Sequence, residues 1–185
     1  MTRITVNIPT GTSGNWEVAN YTNTTTDKQW QIYLQMKGES DSSYKVLLKN
    51  NCPMPVMQDS HGEYREHQWL WDNATGDVLI GGLGLGMVNS ALMANPNVTS
   101  VTIVENSQDV IDLVWDDCAK DNTFTLVTAD IETWTPPSGT TYDVGWFDTW
   151  VSDNGATISA YETTMTTRYS SYCTSIGFWG SLPPP

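Results

Sequence analysis

The sequence is poor in basic side chains and has no long apolar run. It contains 8 Lys and Arg against 21 Asp and Glu, which gives a formal net charge of −13 at pH 7. No stretch of about 18 apolar residues is present, so we expect no membrane-spanning helix. The segment Met1–Asn7 lacks the apolar core of a signal peptide. So acidic a chain repels phosphate backbones, and we predict neither a nucleic-acid partner nor a membrane partner.

Cysteine and histidine are also scarce. Cys52, Cys118 and Cys173 are odd in number and widely spaced, which fits neither a zinc pattern nor a disulfide framework. Thiols in a reducing compartment are the simplest interpretation, so we expect a cytoplasmic protein. The two histidines, His61 and His67, have no spacing that converges on one point. We therefore predict no metal site and interpret their segment as a surface or interface helix.

The acidic residues are unevenly distributed along the chain. Residues 1–65 carry six acids and six bases, whereas residues 66–185 carry fifteen acids against Lys120 and Arg168. Many of these acids serve to keep the surface hydrated. A surface of this sign also attracts cations, including a sulfonium or an amine, so the expected partner is a small molecule that is cationic.

The hydrophobic pattern changes near residue 60. Residues 1–60 form a predicted β-rich segment, and residues 61–185, where strand and helix patterns alternate, form a predicted α/β domain. In the first segment we predict a loop over Asn20–Asp27 and the strands Ile4–Ile8, Trp16–Val18, Trp30–Met36 and Tyr44–Leu48, the last two forming a hairpin. In the second we predict the strands Val78–Ile80, Val101–Val104, Phe124–Val127, Val144–Phe147 and Ser175–Trp179. Helices are predicted over Gly62–Asp72, Met87–Leu92, Ser107–Cys118 and Gly155–Cys173. This succession predicts a Rossmann-like, mostly parallel sheet with right-handed crossovers.

The most informative motif joins the first two strands of this domain. Gly82, Gly84 and Gly86 follow the first strand at alternate positions, and Glu105 ends the second strand 19 residues after the last glycine. Glycines in such a turn let the backbone approach a nucleotide-like ligand, and the carboxylate accepts hydrogen bonds from ribose hydroxyls. A glycine-rich turn without a ligand is the alternative interpretation.

Two further carboxylates end the next two strands. Asp130 follows the third strand, and Asp148 follows the fourth. The carboxyl ends of parallel strands meet at one edge of the sheet, where ligands bind. An unpaired charge at a buried strand end is costly, so we expect each carboxylate to have a partner.

These motifs resemble those of the class I S-adenosylmethionine-dependent methyltransferases, and within that superfamily those of the spermidine synthase branch. Tyr64–His67 resembles a Tyr-His-Glu segment that precedes the first strand there, and Val78–Gly86 resembles the glycine-rich loop. Val104–Ile111 resembles a Val-Glu…Asp-Val-Ile segment, and Tyr142–Asp148 resembles the strand that ends in the catalytic Asp. The resemblance covers roughly residues 60–155 and implies a methyltransferase-type sheet that is shortened at its C-terminal end.

The resemblance implies a role for each site residue. Glu105 would hold the adenosine ribose, Asp130 and Ile131 would lie beside the adenine, and Asp148 would be catalytic and face the transferred group. The remaining residues implied in ligand binding are Gly82, Leu83, Gly84, Gly86 and Asn106.

The expected function is a transferase that binds S-adenosylmethionine, or its decarboxylated form, and moves a methyl group to a small acceptor. Methyl transfer is preferred to aminopropyl transfer because Gly84 stands where the synthases have an Asp, and because no Pro closely follows Asp148. Aminopropyl transfer, breakdown of S-adenosylmethionine without an acceptor and a non-catalytic ligand-binding module remain alternatives. A nicotinamide-dependent dehydrogenase is a weaker alternative, since its fingerprint requires a glycine where Met87 stands. The short sheet and the aromatic residues suggest the hypothesis of a homo-oligomer.

Overall fold

The computed structural model describes residues 3–22, 32, 43–52, 54–149 and 155–180, and the described part contains two β-sheets. The first sheet is antiparallel, with four strands in the order β1-β2-β3-β4. Its strands are β1 Gly11–Ser13, β2 Trp16–Thr22, β3 Ser43–Lys49 and β4 Met57–Gln58.

The second sheet is parallel and has five strands in the order β7-β6-β5-β8-β9. Its strands are β5 Gly76–Gly81, β6 Val98–Glu105, β7 Phe124–Thr128, β8 Tyr142–Phe147 and β9 Cys173–Phe178. The helices are α1 His61–Glu66, α2 Gln68–Asn73, α3 Met87–Met93, α4 Gln108–Val114 and α5 Gly155–Tyr169. Counted from β5, the strand order is 3-2-1-4-5, as in doubly wound Rossmann sheets. The predicted α/β fold is therefore confirmed.

The N-terminal segment differs from the prediction in its strand pairing. Ile4–Ile8 belongs to no sheet, although Val6 and Ile8 are buried. Their alternation reflects burial and not pairing, because the Val6 N–H donates to an Asp59 carboxylate oxygen (3.1 Å) and not to a neighbouring strand. The predicted strand Trp30–Met36 lies outside the described residues, apart from residue 32.

The strand over residues 43–49 exists, and its described partners are β2 and β4. Val18 lies opposite Leu47 in the antiparallel pair with β2. The strand β2 continues to Thr22, so it includes the first residues of the predicted loop Asn20–Asp27. The remainder of that loop lies outside the described residues.

Three predicted helices have different limits in the structure. The helix expected over Gly62–Asp72 is two short helices that meet at His67. The helix α4 ends at Val114, although apolar spacing continues to the buried Cys118. The helix α5 ends at Tyr169 because Cys173 already begins β9, where it pairs with Tyr142. In both of these helices the buried side chains continue past the helix end, so the spacing alone overestimates its length.

One hydrophobic core joins the two sheets. Val18 and Leu47 of the antiparallel sheet belong to the same buried cluster as Leu70, Ile80 and Ile103. The division at residue 60 is therefore a change of sequence pattern across a shared core, and two separate domains remain a prediction. None of the helices in the described part of the chain is long and apolar enough to cross a membrane.

Candidate functional site

A cleft opens at the carboxyl ends of β5, β6 and β8. The strand order reverses between β5 and β8, which is where ligands bind in sheets of this type. The backbone N–H of Asp148 donates to the carbonyl of Gly81 (3.1 Å), so the two strand ends stay in contact at this point. The glycine-rich loop and Asp148 therefore lie side by side along the cleft.

The glycine-rich loop contains two glycines, Gly82 and Gly84, that no other residue type can replace without strain. Gly82 has a φ of 99°, and a Cβ built on it would lie 2.6 Å from the carbonyl oxygen of Asp148. Gly84 has a φ of 53°, and its Cβ would lie 2.2 Å from the sulfur of Met57. Both conformations disfavour residues with a side chain, so the loop is shaped for close backbone contacts.

Glu105 is buried and attaches the end of β6 to this loop. Its Oε2 accepts a hydrogen bond from the Leu83 N–H (2.9 Å), and its Oε1 accepts one from the Ser107 N–H (2.8 Å). The carboxylate also lines the cleft. A carboxylate has about four lone-pair sites, so Glu105 can hold the loop and still accept hydrogen bonds from a ligand.

Eight of the nine site residues expected from the sequence line this one cleft. They are Gly82, Leu83, Gly84, Glu105, Asn106, Asp130, Ile131 and Asp148. The ninth, Gly86, lies at the start of α3 with a φ of 69°, and a Cβ there would be 2.6 Å from the Cβ of Cys118. Gly86 therefore shapes the turn into the helix and does not line the cleft.

The strand-end carboxylates differ in their surroundings. Glu105 is paired with two N–H groups, as expected for a buried strand end. Asp130 is exposed, and its carboxylate accepts from the Glu132 N–H (2.9 Å). Since water solvates Asp130, its position carries no burial cost.

The antiparallel sheet supplies a wall of the cleft that the sequence did not reveal. Trp16, Leu47, Lys49 and Met57 all line it. The sulfur of Met57 accepts a hydrogen bond from the Leu85 N–H (3.1 Å), so β4 directly contacts the glycine-rich loop. These residues are distant in sequence from the motif, and no local pattern marks them.

The interpretation of His67 as part of a surface or interface helix is wrong. His67 lines the cleft and is fully buried. Its ring packs between Trp71 and Trp146, with centroid distances of 5.4 and 5.3 Å. The helical spacing misleads here because the chain leaves α1 at His67 before it enters α2.

His67 brings two carboxylates together. Its Nε2 lies 3.5 Å from Oδ2 of Asp148, and its Nδ1 lies 3.9 Å from Oε1 of Glu63. Burial raises the pKa of the Glu63 carboxyl to about 7. Burial alone would lower the pKa of His67, but the Asp148 and Glu63 carboxylates raise it above its usual value of 6.5. The arrangement of two carboxylates around one imidazole therefore attracts a positive charge.

The rest of the cleft is also lined mainly by negatively charged side chains. The carboxylates of Glu105, Asp130, Glu132 and Asp148 line it together with one described lysine, Lys49. The ammonium of Lys49 lies over the Trp16 ring, 4.9 Å from its centroid. Such a cleft favours a cationic ligand over an anionic one.

No protein-family model matches the sequence, and the search of curated proteins gives no match. Among solved structures, the chain is similar to the N-methyltransferase NodS from Bradyrhizobium japonicum, at 12% identity and a TM-score of 0.41, over 57% of this chain and 60% of that one. NodS is also solved in complex with S-adenosyl-L-homocysteine. A probable spermidine synthase from Corynebacterium glutamicum matches at 15% identity and a TM-score of 0.46, over 77% of this chain and 53% of that one.

A further similarity is to an S-adenosylmethionine-dependent methyltransferase from Clostridium acetobutylicum, at 15% identity and a TM-score of 0.38, over 57% of this chain and 43% of that one. The chain thus spans 60% of the length of NodS and less of the other two proteins. Every one of these TM-scores is below 0.5.

Proposed function

We propose that this chain binds S-adenosylmethionine in the cleft and transfers its methyl group to a small acceptor. The observation that carries this proposal is the position of Glu105. Its buried carboxylate holds the Leu83 N–H of the glycine-rich loop and lines the cleft at the end of the strand next to β5. A carboxylate at this point of a Rossmann-like sheet is placed to accept hydrogen bonds from the two ribose hydroxyls of a nucleoside.

The remaining lining residues fit the other parts of such a ligand. Asp130 and Ile131 line the cleft after β7, where an adenine ring would lie beside the exposed Asp130 and the largely buried Ile131. Gly82 and Gly84 leave backbone exposed to a ligand tail. The acidic lining complements a ligand that carries a sulfonium and an ammonium group.

Asp148 is the group that we assign to the acceptor. Its side chain is 23% exposed, and Asp148 lines the cleft beside the loop. When bound, the ligand supplies an electrophilic methyl carbon on a positively charged sulfur. Asp148 orients the attacking atom of the acceptor and accepts the proton that this atom loses. The carboxylates favour an amine acceptor, which would bind as its cation and give up a proton to Asp148 before its neutral nitrogen attacks. The sulfur would keep the electron pair of the broken methyl–sulfur bond.

The first test is calorimetric titration of the full chain with S-adenosylmethionine and with its demethylated product. We expect both to bind with submillimolar dissociation constants, and NAD+ to bind more weakly than either. A folded protein that binds neither compound at millimolar concentration would contradict the proposal. Preference for NAD+ would point instead to the dehydrogenase alternative.

The second test separates the possible outcomes of binding. The protein is incubated with S-adenosylmethionine, with and without a panel of amines, and the products are identified by mass spectrometry. Formation of S-adenosylhomocysteine that depends on an acceptor supports methyl transfer. Ligand breakdown without an acceptor would identify a degrading enzyme, and turnover of the decarboxylated compound alone would identify an aminopropyltransferase. Binding without any turnover would indicate a ligand-binding module.

A further inference from the structure

Three side chains with metal-binding atoms meet beside the cleft. Glu63, His67 and Asp148 each offer one ligand atom, and these atoms all lie within 4.8 Å of one another. We infer that Glu63, His67 and Asp148 form a binding site for a divalent transition-metal ion. This goes beyond the proposed methyl transfer and does not depend on it.

In the neutral tautomer of His67 that the structure favours, Nε2 is the nitrogen that can bind a metal ion. Its Nδ1 lies 2.9 Å from the backbone carbonyl oxygen of Glu63, and a carbonyl only accepts, so Nδ1 carries the hydrogen. In the neutral ring, Nε2 then carries a lone pair. His67 is 1% exposed, and its Nε2 has no hydrogen-bond partner among the described residues. Nε2 is buried and faces the Asp148 carboxylate, so a cation between the two atoms, either a proton or a metal ion, lowers the cost of burying them.

The distance between the two facing atoms matches a shared metal ion better than a shared proton. His67 Nε2 and Asp148 Oδ2 are 3.5 Å apart. A charge-assisted N–H···O bond is about 2.7–2.9 Å long. Two ligand atoms that sit about 2.1 Å from one tetrahedral ion are roughly 3.4 Å apart. The observed gap therefore has the width of an ion with ligands on both sides.

Neighbouring residues hold these ligand side chains in place through hydrogen bonds and packing, as they do in natural metal sites. The Trp179 indole N–H donates to Oε1 of Glu63 (2.8 Å). A stacked contact with Trp71 and a tilted contact with Trp146 fix the plane of the His67 ring. The Glu63 oxygen lies 3.9 Å from Nδ1 of His67, so the Glu63 side chain must rotate toward Nε2 before all three side chains can share one ion.

The donor set selects the class of ion. One imidazole and two carboxylates suit Mn²⁺, Fe²⁺ or Zn²⁺, with positions left over for water or substrate. His67 and Asp148 line the cleft, so these open positions face it. An ion there would bind an oxygen or nitrogen atom of a molecule in the cleft, directly beside Asp148.

The test titrates Mn²⁺ into the full-length chain and follows the ion by electron paramagnetic resonance. Mn²⁺ suits this protein because it prefers oxygen and nitrogen ligands, so Cys52, Cys118 and Cys173 compete little for it. We expect one tightly bound ion, with a ¹⁴N coupling from imidazole in the pulsed spectrum. His67→Gln should remove that coupling and weaken binding at least tenfold. His61→Gln is the matched control, because His61 lies on the same segment but outside the cluster, and it should leave both unchanged.

A second variant keeps the test decisive if the His67→Gln protein does not fold. Asp148 is partly exposed, so Asp148→Asn should keep the fold and still weaken Mn²⁺ at least tenfold. The inference is overturned if the folded wild type shows no ¹⁴N coupling, or if it binds Mn²⁺ no more tightly than Asp148→Asn. Either result would mean that a proton alone fills the gap. Because this measurement needs no S-adenosylmethionine, its failure and the failure of the proposed function are separate results.

Discussion

Replacing Glu105 by Gln tests the hydrogen bonds that connect the end of β6 to the glycine-rich loop. Glu105 is 8% exposed, and each of its oxygens accepts one backbone N–H, from Leu83 and from Ser107. A glutamine keeps one carbonyl oxygen, but its NH2 group would face the other N–H donor. One hydrogen bond is lost and a buried donor is left unpaired, which costs about 1–3 kcal/mol in the free energy of unfolding.

The same substitution should weaken ligand binding through a separate effect. If the ribose hydroxyls donate to the carboxylate, removing its charge costs about 1.5–3 kcal/mol for a charge-assisted bond. This corresponds to a loss of affinity of roughly tenfold to 150-fold for S-adenosylmethionine. Urea unfolding measures the first effect, and calorimetric titration of the folded variant measures the second.

Glu17→Gln is the matched control. It makes the same chemical change at an exposed position of β2 that does not line the cleft, so it should leave both measurements unchanged. The reasoning fails if Glu105→Gln unfolds at the same urea concentration as the wild type. If stability falls but the affinity for S-adenosylmethionine does not, Glu105 neither contacts the ligand nor orders the loop for binding.

Two further substitutions test the scaffold around the cleft by urea unfolding. Gly82→Ala should destabilise by about 1–3 kcal/mol, and more than Gly139→Ala, because both residues have positive φ but only the Cβ at Gly82 meets the Asp148 carbonyl. Equal effects would mean that this close approach is unimportant. Asp59→Ala should cost about 3–5 kcal/mol, since the buried carboxylate pairs with Arg3 and accepts two backbone N–H groups. A cost below 1 kcal/mol would contradict this account.

Much of the cleft could be predicted because its residues belong to one local pattern. The glycines and Glu105 each follow a short apolar strand, and parallel strands place their carboxyl ends at the same edge of a sheet. Once Val78–Ile80 and Val101–Val104 are recognised as neighbouring strands, the positions of Gly82 and Glu105 follow without further information. The structure places both residues at the cleft.

The missed residues reach the cleft through contacts that leave no local pattern. Met57 lies on a strand of two residues, too short for any periodicity, and contacts the loop only because the antiparallel sheet packs on it. His67 looks like one position of a continuous helix, yet it is the junction between two helices. Its neighbour Asp148 comes from the end of β8. Such a pairing depends on tertiary packing, which a single sequence does not encode in a readable form.

The contacts around the cleft also indicate how it binds. The Glu105 carboxylate holds the loop at Leu83, and Met57 holds it at Leu85. The Gly81 carbonyl accepts a hydrogen bond from the Asp148 N–H at the adjacent strand end. All three contacts form within the protein itself, so the cleft has its shape before a ligand binds. Binding then avoids the entropy cost of ordering a loop. Weakening any one of these contacts should therefore lower affinity, even where the altered residue does not touch the ligand.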